Sequence, residues 1–475
     1  MLSMNREKSL FKNTIIITIG KICTQLITFL LLPLYTGILT TAEYGTVDLL
    51  NTLVSLCLPI ITLQIEQAVF RELLEVRNKE QEIKDIISSA IFTVIVQSII
   101  FLILFIIVAP AFKNVYKYFF ATNVIAYIFS SLFLQITRGL GNSKKYAFAS
   151  FISALCTILF NILFIVGIKL GAKGMLLGTM LGQMITVIYL FISLRLYKYI
   201  SIKNNKKKIT KKLFKYSIPL IPNAISWWVF NASDRLIVTA ILGVEKNGIL
   251  AASLKFSTVY ITLYNVFNIS WTESISTAID DEDLSTYFNK TFNVIIKLFI
   301  AMAIGIIAVM PIVYPIMINK KFDSGYVLVP VSILGSFFNV VVGLISVIYI
   351  GKKNTKAIAN TSVISAIINI IVHLSLINFL GLYAAVISTL TSFIIMSVYR
   401  IVDINKKYFK ITIDNKIVLE TLIIMSLILI LYYVNNKYLN IVSIFIAIIY
   451  GYFLNKNSIN IIVNMLKRKM RKSEG

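Results

Sequence analysis

The chain has 475 residues, 58% of them hydrophobic and 14% charged, with a mean hydropathy of +0.84. Soluble domains carry about 25% charged residues, so a soluble globular protein is excluded. The formal net charge of +25 would suit a nucleic-acid binder only if the basic residues converged on one surface, and their placement along the chain argues against it.

The apolar residues fall in unbroken runs of about 20, long enough as helices to cross about 30 Å of hydrocarbon. Alternating runs of about ten residues, the mark of an outer-membrane barrel, are absent. The runs predict an all-α membrane protein with spans at 12–34, 46–67, 86–109, 118–137, 146–168, 174–194, 213–242, 249–271, 290–311, 326–350, 357–378, 381–400, 417–434 and 439–455. The first has no small-x-small cleavage site and leads into another span, so it is expected to stay in the mature protein. Cys23, Cys57 and Cys156 each sit inside an apolar run, as small core residues do, rather than in a disulfide or metal-ligand pattern.

With the N-terminus inside, the cytoplasmic segments hold 34 of the 46 Lys and Arg residues, including the nine from Arg195 to Lys215 and Arg400, against 8 on the opposite side. Such an excess follows the positive-inside rule and places both termini in the cytoplasm. The basic tail from Lys467 to Lys472 then suits anionic lipid headgroups better than nucleic acid. One loop, Asp280-Asp281-Glu282-Asp283, is acidic, and acids contribute little to topology.

Shifting the sequence by 203 brings Leu10-Phe11-Lys12 onto Leu213-Phe214-Lys215 and Gly45 onto Gly248. A shift of 210 then brings Gly141, Ala147 and Ala149 onto Gly351, Ala357 and Ala359. Asn161 meets Asn369 at 208, and Gly174 meets Gly381 at 207. Each repeat holds six spans, an even number, so both copies start on the same side. The expected organisation is two six-helix lobes, 1–200 and 201–410, related about an axis along the membrane normal with a cavity between them. Residues 411–475 add two helices and the basic tail.

The segments Ser9-Leu10-Phe11-Lys12-Asn13-Thr14, Leu32-Pro33-Leu34-Tyr35-Thr36 and Glu43-Tyr44-Gly45 carry a resemblance, as do Pro219-Leu220-Ile221-Pro222-Asn223, Asp234-Arg235, Gly243, Gly248 and Lys255. The chain resembles the polysaccharide-export branch of the multidrug/oligosaccharidyl-lipid/polysaccharide exporter superfamily over essentially its whole length. That resemblance implies two lobes in a V around a central cavity, alternating access without ATP hydrolysis, and a place in the bacterial cytoplasmic membrane. It also implies a lipid-linked oligosaccharide as cargo and no cofactor. No Gly-x-x-x-x-Gly-Lys-Ser/Thr phosphate loop occurs in the sequence, in keeping with transport that needs no bound nucleotide.

Ionic side chains at mid-bilayer are costly and tend to mark function. Lys21, Arg235, Lys255 and Lys297 are therefore candidate cavity cations for a lipid-linked pyrophosphate, Arg as a bidentate fork and Lys as a mobile point charge. Ion pairing, or snorkelling from helix ends, accounts for the same residues structurally. Asp48, Glu66, Asp234 and Glu273 are candidates for a coupling proton or sodium ion, or else caps and interfacial salt bridges. His373 suits a buried helix contact better than a metal site. Trp227, Trp228 and Trp271 suit either sugar stacking or a membrane interface, and Pro33, Pro59, Pro219, Pro222 and Pro311 either hinges or passive bends.

An intramembrane enzyme is not expected, because no Ser/His/Asp arrangement or large soluble domain is evident. The competing function is an ion-coupled multidrug antiporter of the same superfamily, whose site would be mainly apolar and aromatic.

Overall fold

The computed structural model describes residues 29–473, apart from 78 and 113. Lys21 and most of the first predicted span lie outside the described residues. The chain divides after Ala251 into two compact units. Among the described residues the regular structure is entirely helical.

The first unit contains α1 (Leu32–Ile38), α2 (Thr41–Ile61), α3 (Ile65–Glu75), α4 (Glu80–Val108), α5 (Lys117–Gly139) and α6 (Ser143–Asn161), which runs into a π turn at Ile162–Gly167. It continues with α7 (Gly171–Ser193), α8 (Lys207–Ser217), α9 (Ile221–Leu242) and the start of α10 (Val244–Thr277). The second unit holds the rest of α10, α11 (Leu284–Met317), a 3-10 segment (Lys320–Leu328), α12 (Val329–Gly351), α13 (Thr355–Leu380), α14 (Tyr383–Lys407), α15 (Asn415–Val434) and α16 (Lys437–Ser473). Twelve helices among the described residues are long and apolar enough to cross a membrane. The protein is an all-α integral membrane protein of about fourteen membrane helices.

The seventh predicted span differs from its expected course. In place of one helix over 213–242, the structure has α8, a 3-10 turn at Ile218–Leu220 and then α9. Pro219 and Pro222 supply the break: each lacks an N–H and fixes its φ, which suits the first turn of a helix, where both of them sit. Pro33 likewise sits in the first turn of α1, whereas Pro59, Pro311 and Pro315 lie inside continuous helices.

α2 begins with a capping box, in which the Thr40 side chain accepts from the Glu43 N–H at 3.1 Å and Glu43 Oε2 accepts from the Thr40 N–H at 3.0 Å. Two donors left over at the helix start are thereby satisfied. One turn later Gly45 meets Gly248 of α10 so closely that a Cβ at Gly45 would fall 2.1 Å from the Val244 carbonyl oxygen. Asn247 Nδ2 donates to the Gly45 carbonyl at 2.9 Å, so the backbone approach that glycine permits is also hydrogen-bonded.

Helix starts recur along the chain at steady offsets. Thr41 and Val244 differ by 203, Glu80 and Leu284 by 204, and the starts of α5, α6 and α7 precede those of α12, α13 and α14 by 212 each. The later sequence shifts of 210, 208 and 207 are therefore out of register. They paired glycine with glycine, but the left-handed residue Gly141 (φ +79°) corresponds at 212 to Lys353, which adopts φ +56° itself. The offset grows by eight between the second and third pairs, because α11 has 34 residues against 29 in α4 and the connection after it, which holds the 3-10 segment, is three longer.

That segment anchors the appended hairpin of α15 and α16. Tyr326 stacks on Tyr432 with ring centroids 4.3 Å apart, and Tyr432 Oη donates to the Tyr326 carbonyl at 2.6 Å. Tyr433 Oη donates to the Val327 carbonyl at 3.1 Å.

Arg400, at the end of the twelfth predicted span, is 2% exposed inside the second unit and so does not face water. Its guanidinium donates to Thr361 Oγ1 at 2.8 and 3.1 Å, to Ser362 Oγ at 3.3 Å and to Ser346 Oγ. A base one or two turns from a helix end reads as loop in a hydropathy profile, yet its fork can turn back into the bundle where hydroxyls satisfy it.

Candidate functional site

The first unit contains a cavity of about 560 Å³, within the range of small-molecule sites of roughly 300–1,000 Å³. α2 supplies Asp48, Asn51, Thr52 and Ser55, α5 supplies Ser131, and α9 supplies Trp227, Trp228 and Arg235. Gln64 and Glu66 enter because the chain breaks after α2: Leu63 and Gln64 both take positive φ, an unusual choice for residues with a Cβ. The second predicted span therefore ends at Ile61, and Glu66 lies in the first turn of α3.

Arg235 Nε donates to Asp48 Oδ2 at 2.9 Å, and both side chains are mostly buried, at 18% and 16% exposed. A pair so far removed from water needs near-ideal geometry to offset desolvation. Glu66 is 6% exposed, and its Oε2 has no hydrogen-bond partner among the described residues. The buried Oδ1 of Asn51 is in the same position. Trp228 is fixed by its indole N–H, which reaches the Thr52 carbonyl and Ser55 Oγ, both at 3.1 Å. Trp227 beside it is 43% exposed. The arrangement offers a hydrogen-bonding ligand acceptor oxygens on one side and flat indole surface on the other.

Of the predicted site residues, the structure brings Asp48, Glu66 and Arg235 to this cavity. Asp234 is next to Arg235 but does not line the cavity, and it is buried at 7%. Lys255 and Lys297 belong to the second unit and are half-buried, and Glu273 there is exposed. Trp271 is a core residue of the second unit, 2% exposed, with its indole N–H on the Leu344 carbonyl at 3.0 Å. His373 is fully buried in α13. Asn51, Gln64 and Ser131 were not foreseen, since uncharged polar residues in a span carry little signal.

Residues 10–272, more than half of the chain, match the sequence model of the family described as polysaccharide biosynthesis protein. The chain belongs to that family. No curated protein matches it by sequence. Among solved structures, this polysaccharide biosynthesis family protein is similar in fold to the lipid II flippase MurJ in an inward closed conformation. The TM-score is 0.69 at 15% identity, over 96% of this chain and 99% of that one. It is also similar to an inward-facing multidrug resistance MATE family transporter of the MOP superfamily, with a TM-score of 0.67 at 12% identity, over 80% of this chain and 95% of that one. A further MATE structure, in the straight conformation, gives 0.55 at 14% identity over 84% and 96%. The family protein thus has the fold of this transporter superfamily and is a multi-pass membrane protein.

Proposed function

We propose that the protein is a flippase that moves a polyprenyl-pyrophosphate-linked oligosaccharide from the inner to the outer leaflet of the bacterial cytoplasmic membrane by alternating access. The observation that carries this reading is the cavity beside α9, where Arg235 and the Trp227–Trp228 pair stand next to acceptor oxygens of Asn51 and Glu66. Sugar hydroxyls are donors for such acceptors, sugar rings stack on indole, and a guanidinium can exchange a carboxylate for a phosphate at similar geometry. Family membership supports the glycan over other cargo.

Lobes 1–200 and 201–410, with 411–475 appended, are the moving parts in this reading. Both termini are cytoplasmic. Lys21, Lys255 and Lys297 join Arg235 as cations along the pyrophosphate path, and Asp48, Glu66, Asp234 and Glu273 are the acids available to a coupling proton or sodium ion. Of these, Glu66 stands out for its buried, unpartnered oxygen. The protein would need no catalytic residue and no cofactor.

The second reading, an ion-coupled multidrug antiporter, draws on the same cavity: tryptophans with two carboxylates also suit an organic cation. Disrupting the gene separates the two. The flippase reading expects surface polysaccharide to disappear and its lipid-linked precursor to accumulate on the inner leaflet, with drug susceptibility unchanged. Normal surface glycan together with drug sensitisation would sink it.

A further inference from the structure

The segment joining α7 to α9 is basic throughout, and the structure divides its lysines between two jobs. Lys206 and Lys212 are drawn onto the first unit, where they bond Asp85 of α4 and Glu72 of α3. Those carboxylates belong to residues only 4% and 7% exposed. Ser88 Oγ accepts from the Ser201 N–H and Ser89 Oγ from the Lys206 N–H, both at 3.0 Å, while Leu196 and Leu213 are fully buried. The segment is fastened to the unit and cannot be a loose tether.

Lys207, Lys208, Lys211 and Lys215 are exposed. At about 100° per residue they share roughly 100° of arc on α8, opposite the buried Leu213 and Ser217. The surroundings of that face fix its level. From Ser89, where the segment is fastened, to Ile95, where α4 begins to expose large apolar residues, is six residues, or about 9 Å along the helix. Headgroups occupy roughly 5–8 Å on each side of the hydrocarbon, within reach of a lysine stem. The flanking side chains agree: Tyr197, Ile202 and Ile218 are 54%, 81% and 48% exposed, apolar surface next to charge as at a membrane interface.

We propose that the outward face of α8 is a docking surface for anionic phospholipid headgroups, with Lys207, Lys208, Lys211 and Lys215 as the contacts and the Lys206 and Lys212 pairs holding the face at headgroup level. This surface is independent of the cargo in the cavity. Charge complementarity selects the occupant, since each lysine near an anionic leaflet adds attraction that falls off within a Debye length.

The test places the full-length protein in vesicles of phosphatidylcholine alone or mixed with phosphatidylglycerol and compares thermal unfolding. Wild type is expected to unfold at a higher temperature in the mixed vesicles, and molar salt should remove most of that increment. The variant K207Q/K208Q/K211Q/K215Q should match wild type in phosphatidylcholine and lose more than half of the increment. The half-variants K207Q/K208Q and K211Q/K215Q should each lose part of it and guard against misfolding of the quadruple change. K206Q/K212Q should lower unfolding in both vesicle types. A quadruple variant and half-variants that keep the full increment, or a wild type without one, would overturn the proposal and point to a soluble acidic partner.

Discussion

Gly45 and Gly248 lie backbone to backbone: a Cβ on the first would sit 2.1 Å from the Val244 carbonyl oxygen, and one on the second 2.0 Å from that of Thr41. These are the two glycines that the 203-residue shift superimposes. Each repeat copy thus contributes the same residue of its own matching helix to one contact.

Main-chain atoms cannot swing aside, so Gly45→Ala and Gly248→Ala should each cost about 1–3 kcal/mol through overpacking. Gly305→Ala is the control, because a Cβ added there would meet nothing within 4 Å and alanine is favoured in a helix by about 0.5–1 kcal/mol. Thermal unfolding in detergent reads the difference. Equal midpoints for all three variants would refute the contact.

The Asp48–Arg235 pair separates folding from transport. Arg235→Ala leaves the largely buried Asp48 carboxylate without its guanidinium and Asp48→Ala takes one carboxylate from Arg235, so each should reduce both stability and surface glycan. The exchange Asp48→Arg with Arg235→Asp restores the pair and should recover abundance in the membrane but not glycan display, because the cation has moved from α9 to α2. Full recovery of glycan would reduce Arg235 to a structural role. Lys21→Ala should abolish display at normal abundance and Lys21→Arg should retain part of it; wild-type display by the Ala variant would remove Lys21 from the path.

Arg400 is held by neutral hydroxyls of Ser346, Thr361 and Ser362. Lysine cannot reproduce that fork, so Arg400→Lys should lose at least one hydrogen bond to a charged group, worth about 1.5–3 kcal/mol. Arg400→Met should be the milder change, since an apolar side chain of similar length avoids burying a charge. A methionine variant that unfolds well below the lysine variant would contradict this account.

The pair of Lys212 with Glu72 makes alkaline stability testable. The Glu72 carboxylate, first by its hydrogen bond and then with Glu75 and Glu82 by charge, holds the Lys212 ammonium above its ordinary pKa. A raised folded-state pKa gives a contribution that is fully present below about 10.4, the unfolded value, and is lost as pH rises through the folded one. Wild type should therefore lose more stability than Lys212→Gln between pH 9.5 and about 11.5. Parallel decline of the two proteins would discount the pair.

Topology is checked by single cysteines in a background in which Cys23, Cys57 and Cys156 are alanine. Val115→Cys should react with an impermeant thiol reagent in whole cells, and Lys203→Cys only after permeabilisation, both positions being exposed. The reverse pattern would invert the protein in the membrane.

Hydropathy made the spans legible, because lipid demands long apolar helices whatever packs beside them. The cavity was legible only in part. Arg235 and Asp48 announced themselves as charges in spans, but their pairing joins residues 187 apart in the sequence, and no local pattern encodes such a contact. Glu66 reached the cavity through a left-handed turn at Leu63–Gln64, where no glycine, Asn or Asp signals one. The enclosure of Arg400 was not legible because span-end bases usually face water, and its hydroxyl partners lie 38 to 54 positions earlier.

The connection ahead of α12 and the two helices that close the chain depend on each other. The 3-10 segment ahead of α12 is where Tyr326 stacks on Tyr432, and where the Tyr326 and Val327 carbonyls accept from Tyr432 and Tyr433. The connection has a shorter counterpart at 109–116 in the first half, whereas the hairpin has none in either. The 3-10 segment and the appended hairpin hold each other, so the hairpin depends for its seat on a connection more than 100 residues upstream. A chimera that takes α15 and α16 from a relative must take Lys320–Leu328 with them.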